Sequence, residues 1–290
     1  MPDAERPSFD LQAHSTCSDG TLAPAEVVAL AARSGVELLA LTDHDTIAGV
    51  PEALRAAERA GIHLSPAAEL SAVHDSHEDL HVLGYGLDVS DRNLSAALDD
   101  FRADRGRRIA AMADRLRELG FALDDSKLRR DAVGRPHLAD AVLSHPDNAQ
   151  RLRDEGIDGR NALFPAYLVP GAPAYVPRSR PTVPEAIEVI HAAGGVAVWA
   201  HPFWDVDAPE EAIATLDEFA AAGLDGVEAF YPTHTDHETR LLYDAARERN
   251  LLTTGSTDFH GPDHERFNSF RGFALYGLEP ELGPIRSTPV

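Results

Sequence analysis

Apolar runs of strand length recur along this chain, and several of them end on a His, an Asp or a Glu. His14 and Asp19 follow the run Phe9 to Ala13 across a Ser/Thr-rich turn. Thr42-Asp43-His44-Asp45 follows Leu38-Leu39-Ala40-Leu41. Glu69 comes a short connection after Ile62 to Pro66, and Asp258 and His260 lie just beyond Leu251 to Thr254. Strand ends that share a sheet or barrel carry their side chains to one end of it. Mixed imidazole and carboxylate groups gathered there make a cage for divalent metal ions.

The runs are spaced by helical patterns. Pro24 to Ser34 reads as a helix with Pro near its start and Gly35 at its end, and Val50 to Ala60 as a second one closed by Gly61. Val36 to Leu41 is continuously apolar, as a strand buried on both faces requires. Strands are expected from Ile62 and over Leu80 to Tyr85. Past Asp88 the rhythm stops. A charged helical stretch runs from Ser90 to about Gly120, and short helices with Pro and Gly continue to Pro177. From Val183 the alternation resumes: a helix to Ala193, strand Val196 to Ala200, helix Glu210 to Ala222, strand Gly226 to Phe230, helix His237 to Asn250, and strand Leu251 to Thr254. Repeated strand–helix units predict an α/β parallel sheet or barrel. The boundaries expected are 1–88 and 178–290 for the barrel and 89–177 for a helical insertion.

The chain of 290 residues is 43% hydrophobic, enough for one large core. Its net charge of -22 gives no general attraction for phosphate backbones, which need Lys and Arg. Long nucleic acid is therefore not an expected partner. The arginines at 102, 105, 107, 108, 115 and 117 are interleaved with Asp99, Asp100, Asp104, Asp114 and Glu118, and read as a solvated, salt-bridged face. Cys17 is the single cysteine, so no intrachain disulfide can form, and a reducing cytoplasm is the expected location. The N-terminal residues lack the apolar stretch of a signal peptide, and no apolar run is long enough to cross a membrane.

Other candidate ligands are His81, within the strand Leu80 to Leu83 on the face opposite Leu80 and Val82, and His201, which ends the strand Val196 to Ala200. Asp258 and His260 are two apart and would share a side on an extended segment. His63, His74, His77, His145, His191 and His237 lack a strand-end setting and read as ordinary surface or core groups.

The blocks Asp10-Leu11-Gln12-Ala13-His14-Ser15, Thr42-Asp43-His44-Asp45, Arg135-Pro136-His137, His201-Pro202 and Asp258-Phe259-His260, with Glu69 and His81, resemble the polymerase and histidinol phosphatase (PHP) superfamily. The layout is most similar to its stand-alone phosphoesterases, among them nucleoside 3′,5′-bisphosphate phosphatases and 5′-to-3′ exoribonucleases. The resemblance implies a distorted (β/α)7 TIM-like barrel with a helical insertion and two or three divalent ions, of Mn, Zn, Fe or Mg. It implies the ligands His14, Asp19, His44, Glu69, His81, His137, His201, Asp258 and His260, with His137 reaching the barrel mouth from the insertion. Gln12 departs from the family's His-x-His. A neutral amide oxygen is a poor substitute for imidazole on zinc, so the position shared with His14, Glu69 and Asp258 is expected to be weakened.

Such a site suits phosphoester hydrolysis by a metal-activated hydroxide, with Asp19, His44 and Asp258 central to catalysis. Phosphates not held by metal need cations. Arg135 is the first candidate, as a bidentate fork, with His234 and His264 behind it. Tyr231, Phe203 and Trp204 follow strand ends and could stack on a base or pack. No nucleophile elbow, Walker loop or dinucleotide fingerprint occurs. The expected substrate is a nucleotide or another small phosphorylated metabolite. The alternatives are an exonuclease on short RNA or DNA, a metal-stabilised module without catalysis, and C–N hydrolysis on a similar barrel.

Overall fold

The computed structural model describes residues 6–75, 77–129, 133–178, 180–206 and 208–287. The chain divides into two compact units, one of Met1–Asp99 with Pro181–Val290 and one of Asp100–Arg180. The first is built on a seven-stranded sheet whose strands lie in sequence order. They are β1 (Phe9–Asp10), β2 (Leu38–Leu41), β3 (His63–His74), β4 (His77–Tyr85), β5 (Val196–Trp199), β6 (Gly226–Phe230) and β7 (Leu252–Gly255). The sheet nearly closes on itself. Leu11 N donates to Gly255 O at 3.2 Å, and Ala13 bridges Phe259 in parallel.

The helices are α1 (Pro24–Arg33), α2 (Val50–Ala60), α3 (Arg92–Glu118), α4 (Arg135–Leu143), α5 (Ala149–Asp154), α6 (Arg160–Leu163), α7 (Val183–Ala192), α8 (Pro202–Asp205), α9 (Pro209–Ala221) and α10 (Asp236–Glu248). Local chemistry sets their ends. Gly61 closes α2 in the left-handed region at φ 70°. Thr182 and Glu185 cap α7 reciprocally, as Thr235 and Glu238 cap α10. Helices α1 and α2 pack Val27, Val28, Ala31 and Ala53 onto Leu39, Leu41 and Leu64 of the sheet.

The expectation of a parallel sheet needs correction at one strand. β4 runs antiparallel to both β3 and β5, while the remaining pairs are parallel. β3 extends to His74 and β4 begins at His77. That connection is far too short for a parallel crossover, which needs a dozen or more residues. Glu69 consequently lies inside β3 rather than in a loop after it, opposite Leu83.

The second unit has its own core, with Ile109, Met112 and Leu116 of α3 packed on Leu138 and Val142 of α4 and on Leu163 and Leu168. Its arginines are only partly solvated. Arg107 and Arg117 pair with Asp104 and Asp114 one turn away, at 3.0 and 2.9 Å. Arg108 is instead buried, donating to Val176 O at 2.7 Å with Tyr175 under its guanidinium.

Candidate metal centre

Strand periodicity builds the site. Asp10, Gln12 and His14 alternate along β1 and its extension and share one face, and all are buried. The turn after His14 is tight because Gly20 packs on it: a Cβ there would sit 2.3 Å from His14 O. Asp43 shapes the same turn. Its carboxylate accepts from Ser15 N and Ser18 Oγ at 2.7 Å and from Ser15 Oγ at 2.6 Å. Asp45 accepts from Ser71 N at 2.9 Å. These two acids of the Thr-Asp-His-Asp block therefore order backbone, and His44 alone faces the cluster.

Around that face the barrel gathers His14, Asp19, His44, Glu69, His81, His201, Asp258 and His260. Glu69 is the pivot. Its Oε2 lies 3.1 Å from His14 Nε2 and 3.4 Å from His44 Nδ1. Its Oε1 lies 2.8 Å from His81 Nδ1 and 3.3 Å from His201 Nε2. Asp258 Oδ1 approaches His14 Nε2 at 3.1 Å. Asp19 stands 3.6 Å from His14, 3.7 Å from His44 and 3.5 Å from His260. Donor atoms close enough to share an ion occur in three overlapping sets: His14 with Glu69 and Asp258; His14, Asp19, His44 and His260; and His44, Glu69 and His81.

Several of these atoms fit ligands better than hydrogen-bond partners. Among the described residues, His14 Nε2, His44 Nδ1, Glu69 Oε2 and Asp258 Oδ1 are buried and make no hydrogen bond despite their proximity. Buried polar atoms are seldom left so. Burial pushes His44 down to about 3, which leaves it neutral, as a metal ligand must be. Burial also opposes charge on Glu69 and Asp19, but the surrounding imidazoles outweigh it and hold both well below the usual carboxylate range. The donor set fits a divalent metal.

Asp258 and His260 meet the cluster for a reason other than the extended segment expected. Asp258 adopts φ 52°, and His260 Nδ1 bonds the Asp258 carbonyl at 2.7 Å. His201 is likewise left-handed, at φ 29°. Such conformations cost non-glycine residues about 1–3 kcal/mol and persist where surrounding contacts fix them. Glu228 supplies one such contact, its Oε2 accepting from His201 N at 2.9 Å. Asp10 supplies others beside Asp258, accepting from Thr257 N at 2.8 Å, Thr257 Oγ1 at 2.5 Å and Arg271 N at 2.9 Å. Burial pushes Asp10 up to about 7 and Glu228 up to about 8.

Sequence reasoning passed over Glu228, although a lone carboxylate in the apolar strand Gly226–Phe230 is itself a signal. It gave Tyr231 only stacking or packing. The Tyr231 hydroxyl in fact donates to Asp258 Oδ2 at 2.8 Å.

Gln12 sits beside the site with its Oε1 3.3 Å from Ser256 Oγ, and its buried Nε2 has no hydrogen-bond partner among the described residues. Two candidates for phosphate binding look different in place. His234 is buried with Nδ1 bonded to Ala229 O at 3.1 Å, and burial pushes it down to about 4, so it carries no charge at neutral pH. His264 Nδ1 accepts from Phe267 N at 3.0 Å, and its ring stacks on Phe267. Arg135 and His137 belong to the second unit. There Arg135 donates to Leu168 O at 3.3 Å, and His137 Nδ1 accepts from Gly134 N at 3.1 Å.

Comparison with known proteins places this geometry. Residues 10–124 match the PHP domain. A 5′-3′ exoribonuclease of Haemophilus influenzae is 35% identical over 257 residues, 88% of this chain and 90% of that protein. The chain belongs to the PHP family. A 3′,5′-nucleoside bisphosphate phosphatase of Chromobacterium violaceum is 33% identical over 259 residues, 88% of each chain. Among solved structures, one described as an amidohydrolase from C. violaceum has TM-score 0.78 at 31% identity and covers 91% of both chains. One assigned as a metal-dependent phosphoesterase, from Bifidobacterium adolescentis, has TM-score 0.76 at 29% identity and covers 98% of this chain and 96% of its own. The PHP protein described here is a phosphoesterase on the distorted TIM-like barrel of that family. No helix among the described residues is long and apolar enough to cross a membrane.

Proposed function

We propose that this PHP protein hydrolyses phosphate monoesters of a nucleotide or a similarly small phosphorylated metabolite at the cluster centred on Glu69. The observation that carries the reading is the convergence of four buried, unbonded donor atoms from His14, His44, Glu69 and Asp258.

His14 and His44 each belong to two of the three ligand sets. An imidazole serves two ions only by giving both ring nitrogens, so the barrel residues hold two ions more readily than three. Glu69, a member of two of the sets, would be available to both ions. Mixed nitrogen and oxygen donors suit manganese, zinc or iron, with magnesium the harder alternative.

Bound divalent ions supply an ionised water at neutral pH and neutralise phosphoryl charge. The chain's own residues do the rest. His81, His201 and His260 fix the edges of the cluster. Tyr231 keeps its proton, since burial and the Asp258 charge push the phenol well above its ordinary range, and so remains a donor to Asp258. His264 is proposed as a further contact for phosphate.

The test is phosphate release by the purified protein with manganese from adenosine 3′,5′-bisphosphate, AMP and a short 5′-phosphorylated RNA, with metal content assayed alongside. Release from the bisphosphate, abolished in Asp258→Ala and His44→Ala while both variants stay folded, is expected. Full activity in either variant would sink the site assignment. The relative named as an exoribonuclease supports a second reading, trimming of short RNA ends, and mononucleotides appearing from the RNA would establish it. The net charge of -22 favours the smaller substrate.

A further inference from the structure

An indole left in solvent stands one turn from an imidazole of the cluster. Trp204 is 52% exposed, more than any other large apolar side chain among the described residues. It rides on α8, the single turn that follows His201, and its backbone N–H donates to His201 O at 2.8 Å. The indole centroid lies 6.4 Å from the His201 ring.

The rings around it form a continuous wall. Phe267 lies 5.8 Å from Trp204 and is itself buried. His264 stacks on Phe267 at 5.3 Å and reaches His260 of the cluster at 5.3 Å. The exposed Arg266 holds its guanidinium over the indole, 5.7 Å from the centroid. The other aromatics of the mouth are committed elsewhere. Tyr231 is buried and bonded to Asp258, and Phe203 is half-buried with its edge to His234 at 5.4 Å. Among the described aromatics of the mouth, Trp204 alone has the open surface.

We propose that Trp204, backed by Phe267 and flanked by Arg266, is the stacking subsite for the planar base of a phosphate ester whose phosphate lies at the Glu69 cluster. The inference rests on the phosphoesterase reading above. It narrows the substrate from phosphorylated metabolites in general to those that carry a base, and it makes Trp204 a specificity-determining residue. A base covers indole surface that water now wets, and its π-face meets the ring whatever its identity, so the subsite tolerates different bases. Arg266 adds a cation beside the stacked pair.

The experiment compares adenosine 3′,5′-bisphosphate with ribose 3,5-bisphosphate as substrates of the manganese-loaded full chain. In Trp204→Ala the ratio of kcat/KM, nucleotide over base-free ester, should fall about 5- to 150-fold, the span of one stacked base. Trp204→Phe should keep most of that ratio. An unchanged ratio in Trp204→Ala overturns the proposal. A second measurement needs no turnover, because the other tryptophan, Trp199, is fully buried. Saturating AMP should quench the indole emission of the protein as purified, ribose 5-phosphate should not, and Trp204→Phe should abolish the response. Equal quenching in Trp204→Phe, or none in the parent, also overturns the subsite. If neither ester is hydrolysed, the phosphoesterase reading fails, and the emission titration still decides whether the base binds.

Discussion

Tyr231 donates its hydroxyl proton to Asp258 Oδ2 at 2.8 Å, and that bond leaves Oδ1 as the oxygen that faces His14. The phenol thus sets the rotamer of a carboxylate it does not resemble chemically. Groups that orient metal ligands typically account for 10–100-fold in affinity. Tyr231→Phe is expected to weaken metal retention by about that factor. Dialysis against a graded chelator, with metal counted per chain, reads the change. The thermal transition of the metal-free protein should shift little by comparison, and unchanged retention would remove Tyr231 from the account.

Gln12→His restores an imidazole beside His14. Zinc affinity should rise by at least about tenfold, since imidazole is the better zinc donor. Competition with a chromogenic chelator measures it. Unchanged zinc content and affinity would put residue 12 outside the ligand shell, leaving its amide a partner of Ser256 alone.

Asp10→Ala strips the acceptor from Thr257 N, Thr257 Oγ1 and Arg271 N together. Each buried donor left unsatisfied costs about 1–3 kcal/mol, so a loss of about 3 kcal/mol or more is expected in urea unfolding. Asp258, next in the chain, should lose its fixed conformation, and metal retention should fall with stability. A variant as stable as the parent would show that the loop finds other acceptors.

His234 gives a pH signature with a definite sign. Its folded pKa of about 4 lies below the ordinary 6.5, so the unfolded chain binds the extra proton between those values. Its contribution to stability is complete above about pH 6.5 and is lost as pH falls toward 4. The ceiling is about 3 kcal/mol for a shift of this size. Buried carboxylates with raised values, Asp10 and Glu228, act with the opposite sign, so the parent alone is ambiguous. Urea unfolding at pH 5 and pH 7 should show a smaller pH-dependent loss in His234→Phe than in the parent. Equal losses would refute the assignment.

Much of this was legible in the chain. The strands carrying His14, His44 and His201 announce themselves, because an apolar run followed by a polar ligand has few other uses. The limits of the helix Val50–Ala60 were legible with Gly61 at its end, and the helix expected from Val183 to Ala193 ends one residue earlier, at Ala192. The reversal at β4 was hidden because β3 continues through Glu69 and Ser71, polar residues that look like a loop until the barrel interior that buries them is known. The left-handed turns at His201 and Asp258 were equally hidden, since no local signal marks a conformation imposed by Glu228 and Asp10 from distant strands. The charge expected of His234 failed on burial, which a lone histidine after a strand does not disclose.

The chain leaves the barrel after β4 and returns before β5, and those two strands are hydrogen-bonded neighbours. Asp88 N to Ala193 O at 2.9 Å and Val73 N to Pro181 O at 2.8 Å pin the points of exit and return. Closing a loop costs entropy that grows only logarithmically, about 0.6 kcal/mol for each doubling of length. A change in the length of the segment Asp100–Arg180 therefore costs the barrel little in loop closure. The hairpin of β3 and β4 has no such latitude: one residue inserted before Glu69 turns it to the opposite face of the sheet and takes the pivot of the cluster with it.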